Sequence, residues 1–274
     1  MGGKWYLVFS TFNDRFVTHY RIADNLTGPW RIPKNDAFDT RADYAIKTAS
    51  DGERRYAFGW IASKKGNCDF GPWEWGGTMV FHEVKQNPEN GELLVCPTKA
   101  ASDYYQKPFD AGTADVWCCD WDEQEQKMSA DMLGTLLYDA PKDCFSFEIE
   151  FKVEDAYEFG IGLHVTEGLE TGYMLRMNPQ IGQMAWDQWP RAPKREIQWQ
   201  NKGDMPYQLE TIRPLPKGPS YKVKVIREDS ICVVYVNDQV ALSTRMYDHK
   251  GNKAGIYVVQ GTIKLKEFRI AVCQ

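Results

Sequence analysis

The sequence has no surplus of positive charge: 33 Lys and Arg stand against 38 Asp and Glu, for a formal net charge of −5. A phosphate backbone would find no basic footprint on such a chain, and nothing supports a nucleic-acid partner. No stretch approaches the roughly 20 apolar residues that a membrane helix needs, so no membrane partner is expected. The N-terminus lacks the basic, apolar and small-residue zones of a secretion signal, and the expected location is cytoplasmic. Seven cysteines, at 68, 96, 118, 119, 144, 232 and 273, include no Cys-x-x-Cys pair and no nearby His at ligand spacing. No metal and no cofactor are expected, and reduced thiols are the default. Cys118 and Cys119, adjacent on a strand, would point to opposite faces rather than bridge.

Helical periodicity of any length is also missing, apart from a short turn of helix expected over Ala100–Gln106 before Pro108. What is present is period-two or short apolar character, over Lys4–Phe9, Arg55–Trp60, Phe145–Val153, Tyr221–Val225, Ile231–Val236, Gly255–Val259 and Ile263–Ile270. The class is all-β. Strong turn signals separate the segments, among them Asn13-Asp14, Ser50-Asp51-Gly52, Lys65-Gly66-Asn67, Pro88-Glu89-Asn90-Gly91 and Asn237-Asp238.

Two regimes follow one another. Residues 1–97 carry dense Trp, Tyr and Gly in meandering strands, as propeller blades would; residues 98–111 read as a linker; residues 112–274 have the longer strands of a β-sandwich. In the second regime the stretch from Tyr221 to Ser243 reads as a β-meander, and Lys253–Val259 followed by Thr262–Val272 supplies two more strands of a jelly-roll-like sheet. Pro190 to Pro219 is a proline-rich excursion between strands. Aromatics make up 14% of the chain, with ten Trp. Most must fill β-cores, while any left exposed would offer flat faces to sugar rings.

Four runs, in order, resemble one family. They are Gly3-Lys4-Trp5-Tyr6-Leu7-Val8-Phe9-Ser10; Thr18-His19-Tyr20-Arg21 with Leu26-Thr27-Gly28-Pro29-Trp30; Phe38 to Thr48 running into Arg54 to Trp60; and Trp73-Glu74-Trp75-Gly76-Gly77-Thr78-Met79-Val80 with His82-Glu83-Val84. Together, over residues 3 to about 95, they are similar to the later blades of glycoside hydrolase family 32, the invertase and levanase type of β-fructosidase. The remainder is similar to that family's C-terminal sandwich by strand layout. His82 departs from the pattern, standing where the family commonly has Pro-Arg before the glutamate.

The resemblance implies a partial five-bladed β-propeller, its last blades only, followed by a concanavalin-like β-sandwich. It also implies that the family's aspartate nucleophile, Arg-Asp-Pro aspartate and acid glutamate precede this stretch, since none of their motifs occurs here. Retaining glycoside hydrolysis needs a carboxylate nucleophile and a second carboxyl, roughly 5 Å away, as acid. The chain alone is therefore expected to be inactive. Its expected partners are a fructosyl carbohydrate and either the missing N-terminal half or a second copy, because a cut propeller leaves sheet edges and an apolar blade face uncovered.

Substrate-binding candidates follow from the same motifs. Asp39 matches a position implied to face the sugar, where a carboxylate would accept hydroxyl hydrogens; the alternative is a turn residue capping Phe38–Arg41. Arg41 and Lys47 would flank the funnel edge, or be solvated. Tyr44, Trp60, Trp73 and Trp75 would show ring faces to sugar C–H groups, or pack between blades. Trp186, Trp189 and Trp199 would form a second sugar platform on the sandwich, or fill its core. The four His have structural roles by default. Two functions stay open: the C-terminal part of a sucrose or fructan hydrolase, and a non-catalytic carbohydrate-binding or structural sandwich.

Overall fold

A computed structural model of the chain describes residues 1–12, 16–190 and 209–273; the Asn13-Asp14 turn and Trp199 lie outside them. The described residues form an all-β fold with one short α-helix, α1 (Lys99–Tyr104), begun by the Thr98 hydroxyl accepting from the Ala101 amide at 3.1 Å.

The first part holds two small antiparallel sheets. β1 (Trp5–Ser10) pairs β2 (Thr18–Ala23), and β2 is extended by bridges to Ala37 and Arg31. β3 (Asp43–Ser50), β4 (Arg55–Lys64), β5 (Trp73–Gln86) and β6 (Leu93–Pro97) then form a four-stranded meander, the layout of one propeller blade. The β3–β4 turn forms where the sequence signals it: the Asp51 carboxylate accepts from the Glu53 and Arg54 amides, and Gly52 sits at φ 100°.

The second part is one continuous, strongly curved sheet folded into a sandwich. Its strands are β7 (Lys107–Pro108), β8 (Asp115–Trp117), β9 (Asp120–Asp122), β10 (Lys127–Asp139), β11 (Phe145–Val153), β12 (Glu158–Val165) and β13 (Gly172–Asn178), followed by β14 (Gln183–Trp189), β15 (Arg213–Pro214), β16 (Ser220–Glu228), β17 (Ile231–Val236), β18 (Val240–Arg245) and β19 (Lys253–Val272). The order runs β15-β14-β13-β12-β19-β11-β16-β17-β18, with β10 also on β19.

One element differs from the sequence reading. Lys253–Val259 and Thr262–Val272 are halves of a single strand, β19, which bends at Gln260 and Gly261, both at positive φ. β10 pairs with both halves, its register shifting at the bend, while the first half joins β12 and the second joins β11, closing both layers. A side chain at position 261 would meet the backbone of Asp155 and Ala156 at 2.7 Å, so glycine is required there.

Alternation accounts for the core. β11 turns Phe145, Phe147, Ile149 and Phe151 inward, against Phe159, Leu175, Trp186 and Ile256, and beside Val223 and Val234 of the neighbouring β16 and β17. Its outward Glu148 pairs Lys224 across the strands at 3.0 Å. The blades have no comparable core of their own. Their buried cluster, with Tyr20, Phe38, Ile46, Ile61 and Val84, is completed by Val233, Tyr235 and Ala241 of the sandwich. All seven cysteines are free.

Candidate functional site

The seam between blades and sandwich takes up several of the residues expected to bind substrate. Asp39, on the segment leading into β3, is 1% exposed. Its carboxylate accepts from the Thr40 amide at 2.6 Å and from the Ser243 amide and hydroxyl at 2.7 and 2.5 Å. The turn-capping role is thus realised, and the same carboxylate also fastens β18. Arg41 is buried beside Glu210, Nε to carboxylate 3.4 Å, and Lys64 reaches the same Glu210 at 3.8 Å. Neither Asp39 nor Arg41 presents a surface to a ligand.

Behind Asp39 lies a closed charge cluster. His82, on β5, points Nε2 at Asp43 and Asp39, 3.0 and 3.2 Å away, and Nδ1 at the Tyr235 hydroxyl, 2.8 Å away. Burial opposes a charge on the imidazole. It is outweighed by Tyr235 and the two carboxyls, which raise the His82 pKa well above its ordinary value. Burial also opposes the Asp39 carboxylate, but the His82 hydrogen bond and charge, with Arg213, hold its pKa below the usual value. Asp43 is pushed up to about 6, because burial outweighs the help from His82 and Asp39 adds like charge. The arrangement is a buried imidazolium shared by two aspartates. These three residues lie close enough to hold a metal ion, but the Ser243 and Tyr235 bonds already account for the orientation of Asp39 and His82.

The aromatic candidates divide. Tyr44 stacks on Phe16 at 4.2 Å and 11°, meets Trp60 edge-on at 6.2 Å, and lies 6.4 Å from Trp75. Phe12 stacks beside Trp75, and both are largely exposed, 64% and 62%. Tyr44 and Trp75 therefore come together, with two phenylalanines that sequence reading did not single out, as an aromatic surface at the head of the blades. A bulge in β3, with Ala45 at φ 53°, sets Tyr44 into that group. Trp73 lies apart, its ring covered by the Lys64 ammonium at 4.4 Å. Lys47 is exposed on β3, past the bulge. On the sandwich, Trp186 is fully buried in the core, whereas Trp189 is 40% exposed.

Both flanks of the blades are apolar and open. Trp5 and Leu7 of β1 are about half exposed on one, and Met79 and Phe81 of β5 on another, with the Phe58 ring tilted against Phe81 at 5.7 Å. In blade architecture such faces are covered by neighbouring blades.

No helix among the described residues is long and apolar enough to cross a membrane. Neither a protein-family model nor a curated protein sequence matches the chain. Its fold is similar to that of the exo-inulinase of Aspergillus awamori, with a TM-score of 0.71 and 13% identity over 99% of this chain and 54% of that one. It is similar also to fructan 1-exohydrolase IIa of Cichorium intybus in complex with 1-kestose, at 0.64 and 13% over 94% and 55%. A glycoside hydrolase family 32 structure from Bifidobacterium adolescentis gives 0.58 and 15% over 99% and 39%. The chain thus has the fold of the C-terminal portion of the family 32 fructosidases, and it spans about half the length of these structures or less.

Proposed function

We propose that the chain is the C-terminal part of a β-fructosidase-like glycoside hydrolase acting on sucrose or fructans, and that the catalytic carboxylates stand outside it. Residues 1–97 are then the last blades, 98–111 the linker and 112–274 the sandwich. The observation that carries this reading is the pair of uncovered apolar blade flanks, at Trp5 and Leu7 and at Met79 and Phe81, on a fold that matches half of a fructosidase. The missing N-terminal blades fit both flanks at once, and of the two expected partners we favour them over a second copy.

Within the finished propeller, Tyr44 and Trp75 are the residues we assign to sugar contact, while Lys47 and Trp73 stand elsewhere on the same blade. Asp39 and Arg41 act as positioning residues, locking the blade to the sandwich. Two carboxyl pairs among the described residues suit hydrolysis poorly. Asp39 and Asp43 are sealed off around His82, while Glu158 and Asp187 bracket the Arg176 guanidinium, 2.6 and 3.6 Å away, so a fixed cation stands where a glycosidic bond would have to lie.

The test is fructose release. The purified chain liberates none from sucrose or inulin, and gains the activity when supplied with the missing blades, either as a separate polypeptide or as a fusion. Turnover by the pure chain overturns the reading.

A further inference from the structure

The concave outer face of the sandwich carries a cavity of about 350 Å³ that the fructosidase reading does not use. Its floor is set by alternation along β12: Phe159, Ile161 and Leu163 point into the core, so Glu158, Gly160 and Gly162 face outward. Gly160 leaves space that a Cβ could not share, since that atom would fall 1.8 Å from the Leu175 carbonyl and 3.0 Å from the Tyr257 ring. The sheet is therefore thin in the middle and walled at the sides.

The walls are polar and aromatic together. Arg176 Nε donates to both Glu158 oxygens at 2.9 and 3.1 Å, and its Nη2 donates to Oε2 at 2.6 Å. Its Nη1 lies 3.6 Å from Asp187, and the Tyr257 hydroxyl lies 3.2 Å from Glu158. Leu133, Met174 and Val259 give apolar wall, and Trp189 stands exposed on the rim. Folding alone does not call for this set, because the buried Glu158 and Asp187 carboxylates repay their desolvation poorly and apolar residues of similar size serve as well.

We infer that this cavity is a carbohydrate-binding site, separate from the propeller, for one neutral sugar residue presenting adjacent hydroxyls. A carboxylate and a guanidinium fixed side by side by these hydrogen bonds offer acceptor and donor to neighbouring hydroxyl groups. The Trp189 ring offers an apolar face to the sugar C–H groups beside them. Two carboxylates against one guanidinium leave the site with net charge about −1, which disfavours phosphorylated or carboxylated sugars.

Calorimetric titration of the whole chain with fructose, glucose, sucrose, inulin and fructose 6-phosphate tests this. At least one neutral sugar binds with a dissociation constant on the order of millimolar or tighter, and fructose 6-phosphate binds more weakly than fructose. Trp189→Ala, at the exposed rim, and the near-isosteric Asp187→Asn each weaken binding about tenfold or more, a difference of roughly 1.4 kcal/mol. Should Asp187→Asn fail to fold, Trp189→Ala decides alone. Binding that ignores Trp189→Ala, tighter binding of the phosphate, or no binding of any neutral sugar overturns the inference. Each readout is binding rather than fructose release, so failure here leaves the fructosidase reading standing, and the converse holds.

Discussion

The sandwich and the blades reach stability by different means. The sandwich encloses its own apolar core between two layers, with the aromatic rings of Phe151, Phe159 and Tyr221 in contact at 5.0 and 5.4 Å. The blades borrow Val233, Tyr235 and Ala241 from the sandwich for theirs, and are held to it by buried charge: Asp39 on Ser243, His82 on Tyr235, and Arg245 on the Ile61 carbonyl. The sandwich encloses its own core, whereas the blades rest on the sandwich on one side and leave Trp5, Leu7, Met79 and Phe81 exposed on others.

The largest effect should come from the sandwich core. Phe159→Ala leaves a cavity between Phe151 and Tyr221 and costs about 3–5 kcal/mol, read by chemical denaturation; because the blades lean on the sandwich, both regions lose stability together. His82→Gln removes the buried cation and leaves Asp39 facing Asp43, at a cost of about 3 kcal/mol. Hydrogen exchange should then accelerate in β3 to β6 more than in β11 or β12; equal acceleration would erase the distinction drawn above.

A pH series sharpens the same contrast. The raised His82 pKa contributes stability that is complete below the ordinary histidine value and is lost as pH rises through the raised one. The lowered Asp39 pKa contributes stability present above the ordinary aspartate value and lost as pH falls through the lower one. Asp43, raised to about 6, works the other way, subtracting stability as pH climbs from the usual carboxylate value to about 6. The melting temperature should therefore fall by a few degrees on the alkaline side, and His82→Gln should flatten that limb. The smallest effect on stability belongs to Phe81→Thr on the open flank, within about 0.5 kcal/mol. It should nonetheless reduce hydrophobic-dye binding, because an uncovered apolar patch is being removed.

Much of the fold was legible in the residues. Phe145–Val153 and Ile231–Val236 alternate cleanly, and their strands fall on those bounds. The turn residues Asn237 and Asp238 both adopt positive φ, as a tight hairpin requires. Lys253–Val259 and Thr262–Val272 read as two strands because a bend inside one strand, here with a register shift against β10, leaves the same sequence signature as a break. The site was less legible. Asp39 was singled out from a motif, but its burial depends on Ser243, more than two hundred residues later. Trp186 and Trp189 are an odd number of residues apart on one strand, so they face opposite sides, and only the second reaches the surface. Glu158, Arg176 and Asp187 went unremarked because strand register, not sequence spacing, brings them together: Arg176 lies opposite Gly160, and Asp187 opposite Met174.

Light scattering coupled to size exclusion weighs the dependence of the blades on absent neighbours most directly. The account predicts that the 31.6 kDa chain self-associates in a concentration-dependent way when alone, and forms a single one-to-one species once the missing blades are added. A monomer at every concentration, with no binding of hydrophobic dye and no complex with those blades, would contradict it.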